Sequence, residues 1–340
     1  MVRKVFARRR IDVLAYEGAY AAEVYGLVDI LGVADSVLRV QGIVDHRVFD
    51  TRIVSVRRRQ VRLANGTVID AAAPRSSPDV VVVPGFGLLD AGDVADWMTR
   101  LDDETAFLRR RNDAGVPLAS ICVGTFLLAE AGALDGRRAT TSWLFAAELA
   151  RRYPDIDVRA TSMIVEDPPV LTAGAFSAGQ DLALHLVRNF ADEQTAHETA
   201  SVTLVSENRA SQAPYVDDDL KVVQHASLAD DVRRYLRHHL AEPYDLNALA
   251  AIFHVSTRTL LRHFSEATGT SPQTYLQQAR VRSARRLLQT SQLSVGEIAA
   301  RVGYLDAATF RKHFLTFTGV TPLAFRRDAQ AGRWRDRPWK

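Results

Sequence analysis

Residues 246–264, LNALAAIFHVSTRTLLRHF, and residues 295–314, VGEIAARVGYLDAATFRKHF, decide how the second half of the chain folds. Each opens with an amphipathic helix built on a Leu-Ala-Ala or Ile-Ala-Ala core, breaks at a short turn, and restarts at Ser256 or Asp306. Side chains of that kind accept hydrogen bonds from the free N–H groups at a helix start. Beyond the caps, Leu260 with Phe264 and Phe310 with Phe314 stand four apart, the spacing of one buried helix face. The small side chains of Ala250 and Ala299 let two helices cross closely. The pattern predicts two helix-turn-helix units whose second helices lie in register 50 residues apart, Ser256 to Asp306.

The outer face of the first of these helices carries Thr257, Arg258, Leu261 and Arg262; that of the second carries Ala307, Ala308, Arg311 and Lys312. Arg and Lys can read guanine O6 and N7, and small apolar side chains can meet the thymine methyl. A long helix over about residues 272–289 would set the two in successive stretches of major groove, roughly 34 Å apart. One such match would carry little weight, because helical hairpins are common. Two in register are a different matter, and charge agrees with them. Residues 227–340 hold 18 Lys/Arg against 9 Asp/Glu, whereas residues 1–226 hold 25 against 31. A net charge of only +3 conceals a basic half suited to a polyanion and an acidic half that is not.

Upstream the rhythm changes. Short apolar runs at residues 11–16, 80–83 and 117–121 alternate with helical stretches at 21–31 and 93–111. Alternation of this kind predicts an α/β domain, a mostly parallel sheet with helices on both faces. The run PDVVVVPGFG (residues 78–87) reads as a buried strand ending in a glycine-rich turn. The run PLASICVGTFLLAEAG (residues 117–132) reads as strand, sharp turn and helix with Cys122 at the turn, a nucleophile elbow. A helix N-terminus at that point would lower the thiol pKa, and N–H groups near Gly85 and Val123 would form an oxyanion hole. Four segments are expected: an α/β domain over 1–190, a linker region over 191–226 with a helix in its first half, an all-α domain over 227–330 and a disordered tail over 331–340.

Two resemblances sharpen these expectations. VSTRTLLRHFSEATGTSP and IAARVGYLDAATFRKHFLTFTGVTP, including Gly303-Tyr304 and the closing Phe314, Gly319, Val320 and Pro322, resemble the AraC/XylS family of transcription regulators. That implies a seven-helix module that binds promoter DNA and contacts RNA polymerase. Residues 10–190, through the two runs above with LDGRRATTSW and AGAFSAGQDLALHLV, resemble the PfpI-type domain of the class I glutamine amidotransferase-like superfamily. The order of the two domains resembles the GlxA type of regulator, which implies a small-metabolite effector, often nitrogen-containing, and a homodimer formed through the N-terminal domain.

In that superfamily a carboxylate beside the cysteine matches Glu23, while the expected histidine is replaced by Ser142. A cysteine enzyme needs a base for the thiol proton, and serine is none at neutral pH. His185 on an apolar helix and His197 in the linker region are poor substitutes. The expected protein is therefore a regulator and not an enzyme, without cofactor or metal. Its effector would lie near Glu23, Gly85, Phe86, Cys122, Val123 and Ser142. The rival is a cysteine-dependent hydrolase or glyoxalase-like enzyme tethered to DNA. A single cysteine permits no internal disulfide and fits a reducing cytoplasm. No apolar run approaches the roughly 18 residues that would cross a bilayer.

Overall fold

The computed structural model describes residues 6–87, 94–207, 209–216 and 227–330. The chain divides into two compact units, Met1–Val222 and Val223–Lys340. The strands of the first unit are β1 (Arg9–Leu14), β2 (Phe49–Val54), β3 (Gln60–Arg62), β4 (Val68–Asp70), β5 (Val80–Val83), β6 (Leu118–Ile121), β7 (Arg138–Ala139), β8 (Asp157–Val158), β9 (Ile164–Asp167) and β10 (Val170–Ala173). Its helices are α1 (Ala21–Val40), α2 (Val94–Arg100), α3 (Asp102–Asp113), α4 (Thr125–Glu130), α5 (Ala146–Arg152), α6 (Ala178–Phe190) and α7 (Glu193–Thr203).

The main sheet has the order β2-β1-β5-β6-β10-β9, parallel except for β9. Its parallel strands follow the doubly wound, flavodoxin-like order. Parallel strands covered on both sides are apolar throughout, and every side chain of Val80–Val83 is buried. The stretch 93–111, expected as one helix, is two: α2 and α3 meet at Leu101, itself buried.

The linker region over 191–226 needs correction. Within it, Asp192 caps α7 by accepting from the Thr195 N–H (2.8 Å), and Thr195, Ala196, Thr199 and Ala200 bury a face against α1 and α6. Residues 209–216 continue on the first unit, where Ser211 pairs with Ser162. A helix in the first half of that stretch agrees with the sequence reading; its packing on the first unit, through a face of alanine and threonine only, does not fit a linker. Residues 217–226 and the tail over 331–340 lie outside the described residues.

The second unit has seven helices among its described residues: α8 (Leu228–His238), α9 (Leu246–Ile252), α10 (Thr257–Thr268), α11 (Pro272–Thr290), α12 (Val295–Arg301), α13 (Ala307–Thr318) and α14 (Pro322–Gln330). Capping accounts for their starts. Ser256 accepts from the Thr259 N–H, Asp306 from those of Ala308 and Thr309, and Ser294 with Glu297 forms a reciprocal capping box. α10 and α13 stop at Gly269 (φ 69°) and Gly319 (φ 74°), a left-handed conformation that glycine adopts at no steric cost.

Two separate cores share α11. Tyr275 and Leu276 complete the first with Val232, Leu249, Leu260 and Phe264. Val281, Ala284 and Leu288 complete the second with Ile298, Phe310, Phe314 and Phe325. Between them Arg280, 9% exposed, donates through Nε to the Leu240 carbonyl (2.7 Å) and through Nη2 to that of Glu242 (2.6 Å). Its guanidinium also lies over the Tyr304 ring, 5.5 Å from the centroid. Gly303 permits this approach, since a Cβ there would fall 2.5 Å from the Leu240 oxygen.

Candidate functional site

In the first unit the carboxyl ends of β1, β5 and β6 converge on Cys122. The elbow is present and tightly built: Cys122 has φ 56°, rare for a residue with a side chain, in a single 3-10 turn between β6 and α4. Gly124 makes the turn possible, because a Cβ there would sit 2.5 Å from the Pro84 oxygen and 2.6 Å from that of Val83. Gly85 serves a similar need; a Cβ on it would press on Cys122 Cβ (3.1 Å) and Glu23 Oε2 (3.2 Å). From outside the turn, the Cys122 N–H donates to the Gly174 carbonyl (2.8 Å) and the Cys122 carbonyl accepts from Thr141 Oγ1 (2.7 Å). Sulfur is held by the N–H groups of Val123 and Phe176 and by the Ser142 hydroxyl.

Electrostatics overturn one expectation. The Cys122 thiol is not acidic: burial pushes its pKa well up, the Glu23 carboxyl beside it pushes further, and the three hydrogen bonds to sulfur only partly oppose this. Glu23 is 2% exposed, and burial raises its pKa to about 8 against the opposing pull of the Gly85 N–H. That N–H donates to Glu23 Oε2 (2.5 Å), so it is not free to serve an oxyanion hole, and the Val123 N–H is spent on sulfur. Glu23 Oε1 is buried with no hydrogen-bond partner. Near neutral pH the pair is thus a protonated acid and a protonated thiol. Ser142 is 2% exposed and Phe86 is fully buried. His185 contacts Glu166 (3.0 Å) and Asn189 (3.1 Å), and His197 contacts Glu207 (2.7 Å), so both rings are engaged elsewhere.

Sequence reading missed several residues around this centre. Tyr20 and Phe176 meet edge to face, 5.2 Å between ring centroids, and the Tyr20 N–H donates to the Gly85 carbonyl (2.9 Å). Phe86 packs on Trp97 (4.8 Å), which faces Gly18 so closely that a Cβ there would lie 2.5 Å from the indole. A cavity of about 850 Å³ opens beside them, lined by Tyr20, Arg62, Trp97 and Arg100 among others. Only the two glycines hinted at these contacts; the partners come from distant elements.

In the second unit Arg258, Arg262, Ala308, Arg311 and Lys312 are exposed as expected. None of the four cations has an acidic partner among the described residues. Thr257 and Leu261 are half-buried, and Ala307 packs partly against the second core, so the apolar contribution to the outer face is smaller than expected. Leu305, Thr309 and His263 nearby are exposed as well. His313 on α13 contacts the Tyr304 hydroxyl (3.2 Å) and so fastens this helix to the turn that Arg280 supports.

Comparison with known proteins agrees with both halves. The DJ-1/PfpI family model matches residues 9–189, and a helix-turn-helix domain model matches residues 249–328. The HTH-type transcriptional regulator GlxA of Rhizobium meliloti (strain 1021) is 31% identical over 239 residues, which cover 69% of this chain and 72% of that protein. The HTH-type transcriptional regulator GbdR of Pseudomonas aeruginosa is 26% identical over 287 residues, covering 82% of this chain and 74% of that one. Among solved structures, Drosophila melanogaster DJ-1beta is 19% identical, covering 58% of this chain and 99% of its own, with a TM-score of 0.47. Among the described residues no helix is long and apolar enough to cross a membrane.

Proposed function

We propose that this chain, which belongs to the HTH-type transcriptional regulators with a DJ-1/PfpI domain and an AraC-type DNA-binding module, senses a small metabolite through its first unit and has no catalytic activity. One observation carries the sensing half: an elbow complete in its backbone whose thiol and carboxyl are buried side by side, with burial raising the pKa of both. A nucleophile in that state waits for a base, and Ser142 is none. What is left is a buried polar centre with an unpartnered carboxyl oxygen and neighbouring cavity space, fit to recognise a molecule and not to transform it. The effector would touch Glu23, Gly85, Phe86, Cys122, Val123 and Ser142; its nitrogen-containing character is carried over from the resemblance.

DNA would be read by Arg258, Arg262, Arg311 and Lys312, whose cations have no acidic partner among the described residues and stand on helices braced against one shared helix, with Thr257, Leu261, Ala307 and Ala308 shaping the surface between them. The 19 residues of α11 span roughly 28 Å at the usual helical rise, a scale suited to successive major-groove stretches. We assign an activator's role, contact with RNA polymerase and dimerisation through the first unit on the family resemblance. An effector changes the output only if it binds two arrangements of the protein with different affinity.

Selection of bound fragments from genomic DNA by the full-length protein at two salt concentrations tests this function. Enrichment of a few promoter fragments that persists at higher salt is expected, and the neighbouring genes then supply effector candidates for binding assays. Uniform binding that collapses with salt would mean phosphate contact alone and would end the sequence-specific reading. Turnover of a thioester or α-keto aldehyde that Cys122→Ala abolishes would end the non-enzymatic one.

A further inference from the structure

Gln212 stands in the stretch expected as linker, yet its side chain is 1% exposed and its amide is buried between the two loops that hold Cys122. Its Nε2 donates to the Thr141 and Ser162 carbonyls (3.0 Å each) and lies 3.3 Å from the Ala160 carbonyl and from Thr140 Oγ1. Its Oε1 accepts from the Ala175 N–H (2.8 Å) and, more loosely, the Trp143 N–H (3.4 Å). Gly174 clears the space, since a Cβ there would fall 2.4 Å from the amide carbon.

The contacts to Thr140, Thr141, Trp143 and Ala175 lie on, or one residue from, a group gripping the elbow; those to Ala160 and Ser162 tie in a third segment. Thr141 holds the Cys122 carbonyl through its hydroxyl, and Ser142 next to it touches sulfur. Gly174 accepts from the Cys122 N–H, and Phe176 donates to sulfur. Along the backbone the Gln212 N–H donates to the Thr161 carbonyl (2.7 Å), and the Tyr215 N–H donates to the Gln212 carbonyl (2.9 Å). In sequence, residues 217–226 separate this stretch from α8, the first helix of the second unit.

We propose that Gln212 is a positioning residue that couples the elbow loops to the chain entering the DNA-binding unit, so that a ligand spreading those loops releases residues 211–216. This rests on the elbow being the effector site. The physical ground is that one amide satisfies both loops at once. Moving either loop away strands buried donors and acceptors on that loop and on the Gln212 amide, which is costly away from water, so the parts shift together or not at all.

Hydrogen exchange on the full-length protein tests the coupling. Gln212→Met keeps the bulk and removes the hydrogen bonds. It is expected to speed exchange roughly tenfold in 140–145, 172–178 and 209–216 alike, leave β1 and β5 unchanged, and speed Cys122 alkylation by iodoacetamide to a similar degree. Faster exchange confined to 209–216, with elbow loops and alkylation unmoved, would overturn the proposal and leave Gln212 as a local anchor. The wild-type protein gives a second arm that needs no variant. Carboxamidomethylation of Cys122 places a group between Ser142 and Phe176, and exchange in 209–216 should rise roughly tenfold; no change there would also overturn it. Fragment selection separates the two proposals. Coupled exchange in a protein whose DNA binding ignores every elbow-binding compound would sink the effector reading alone. Uncoupled exchange in a protein that responds to such a compound would sink the Gln212 coupling alone.

Discussion

The elbow in the first unit and the reading helices in the second handle charge in opposite ways. Around Cys122 every ionisable group is buried and kept neutral: Glu23 holds its proton to about pH 8 and the thiol holds its own well beyond the usual range. On α10 and α13 four cations stand exposed without acidic partners among the described residues. The contrast follows from what each region would meet. A polyanion is bound by charges already in water, where desolvation on contact is modest and counterions are released. A small molecule in a buried pocket is recognised by preplaced hydrogen bonds, and a stray charge there would cost more than it returns.

Several experiments would break that contrast or sharpen it. The largest effect is expected from Phe314→Ala. This fully buried ring packs against Phe310 and Phe325, and its loss should destabilise the second unit by about 3–5 kcal/mol. Thermal unfolding would register it, and a loss under 1 kcal/mol would mean that the second core does not hold α13 in place.

Next comes the pH dependence of the elbow. Glu23 has a folded-state pKa of about 8 against an ordinary value of 4.5, so folding takes up its proton. The associated stability is fully present below about pH 4.5 and is lost as pH rises through about 8. Glu23→Gln mimics the protonated form and should remove this slope. The stability of the wild type relative to the variant is therefore expected to fall by a few kcal/mol across that window. Equal pH profiles would show that Glu23 is ionised in the folded protein and that the elbow is not neutral.

A smaller loss is expected at the reading face, where Arg262→Ala and Lys312→Ala should each weaken binding to a selected promoter fragment by about 1–3 kcal/mol if they read bases. Their melting temperatures should barely move, as at other exposed positions. Unchanged affinity in both would refute the assignment of these helices. The smallest effect is reserved for the caps. Ser256→Ala and Asp306→Ala remove hydrogen bonds that start α10 and α13, and each should cost about 1 kcal/mol of stability.

How much of this was legible beforehand depends on range. Caps, glycine stops and the four-residue spacing of Leu260 with Phe264 act within one or two turns, so the seven-helix module could be read from the string of residues. The buried strands and the elbow at Cys122 were equally local. The sign of the Cys122 pKa shift was not: the helix start beyond it favours a thiolate, but burial and Glu23, 99 positions earlier in the sequence, outweigh it. The outer face of α13 was misjudged at Ala307 because a helical pattern gives a direction and not a depth.

The sequence by itself determined the two folds, their order, the division of charge between them and the missing histidine, because each is carried by neighbours along the chain. Only the tertiary structure decided that Gln212 belongs to the elbow and that Arg280 bridges two cores. It also decided that Glu23 and Cys122 are neutral together. Each of these depends on which distant groups share a volume closed to water, and in such a volume hydrogen bonding and desolvation, not sequence spacing, set the energies.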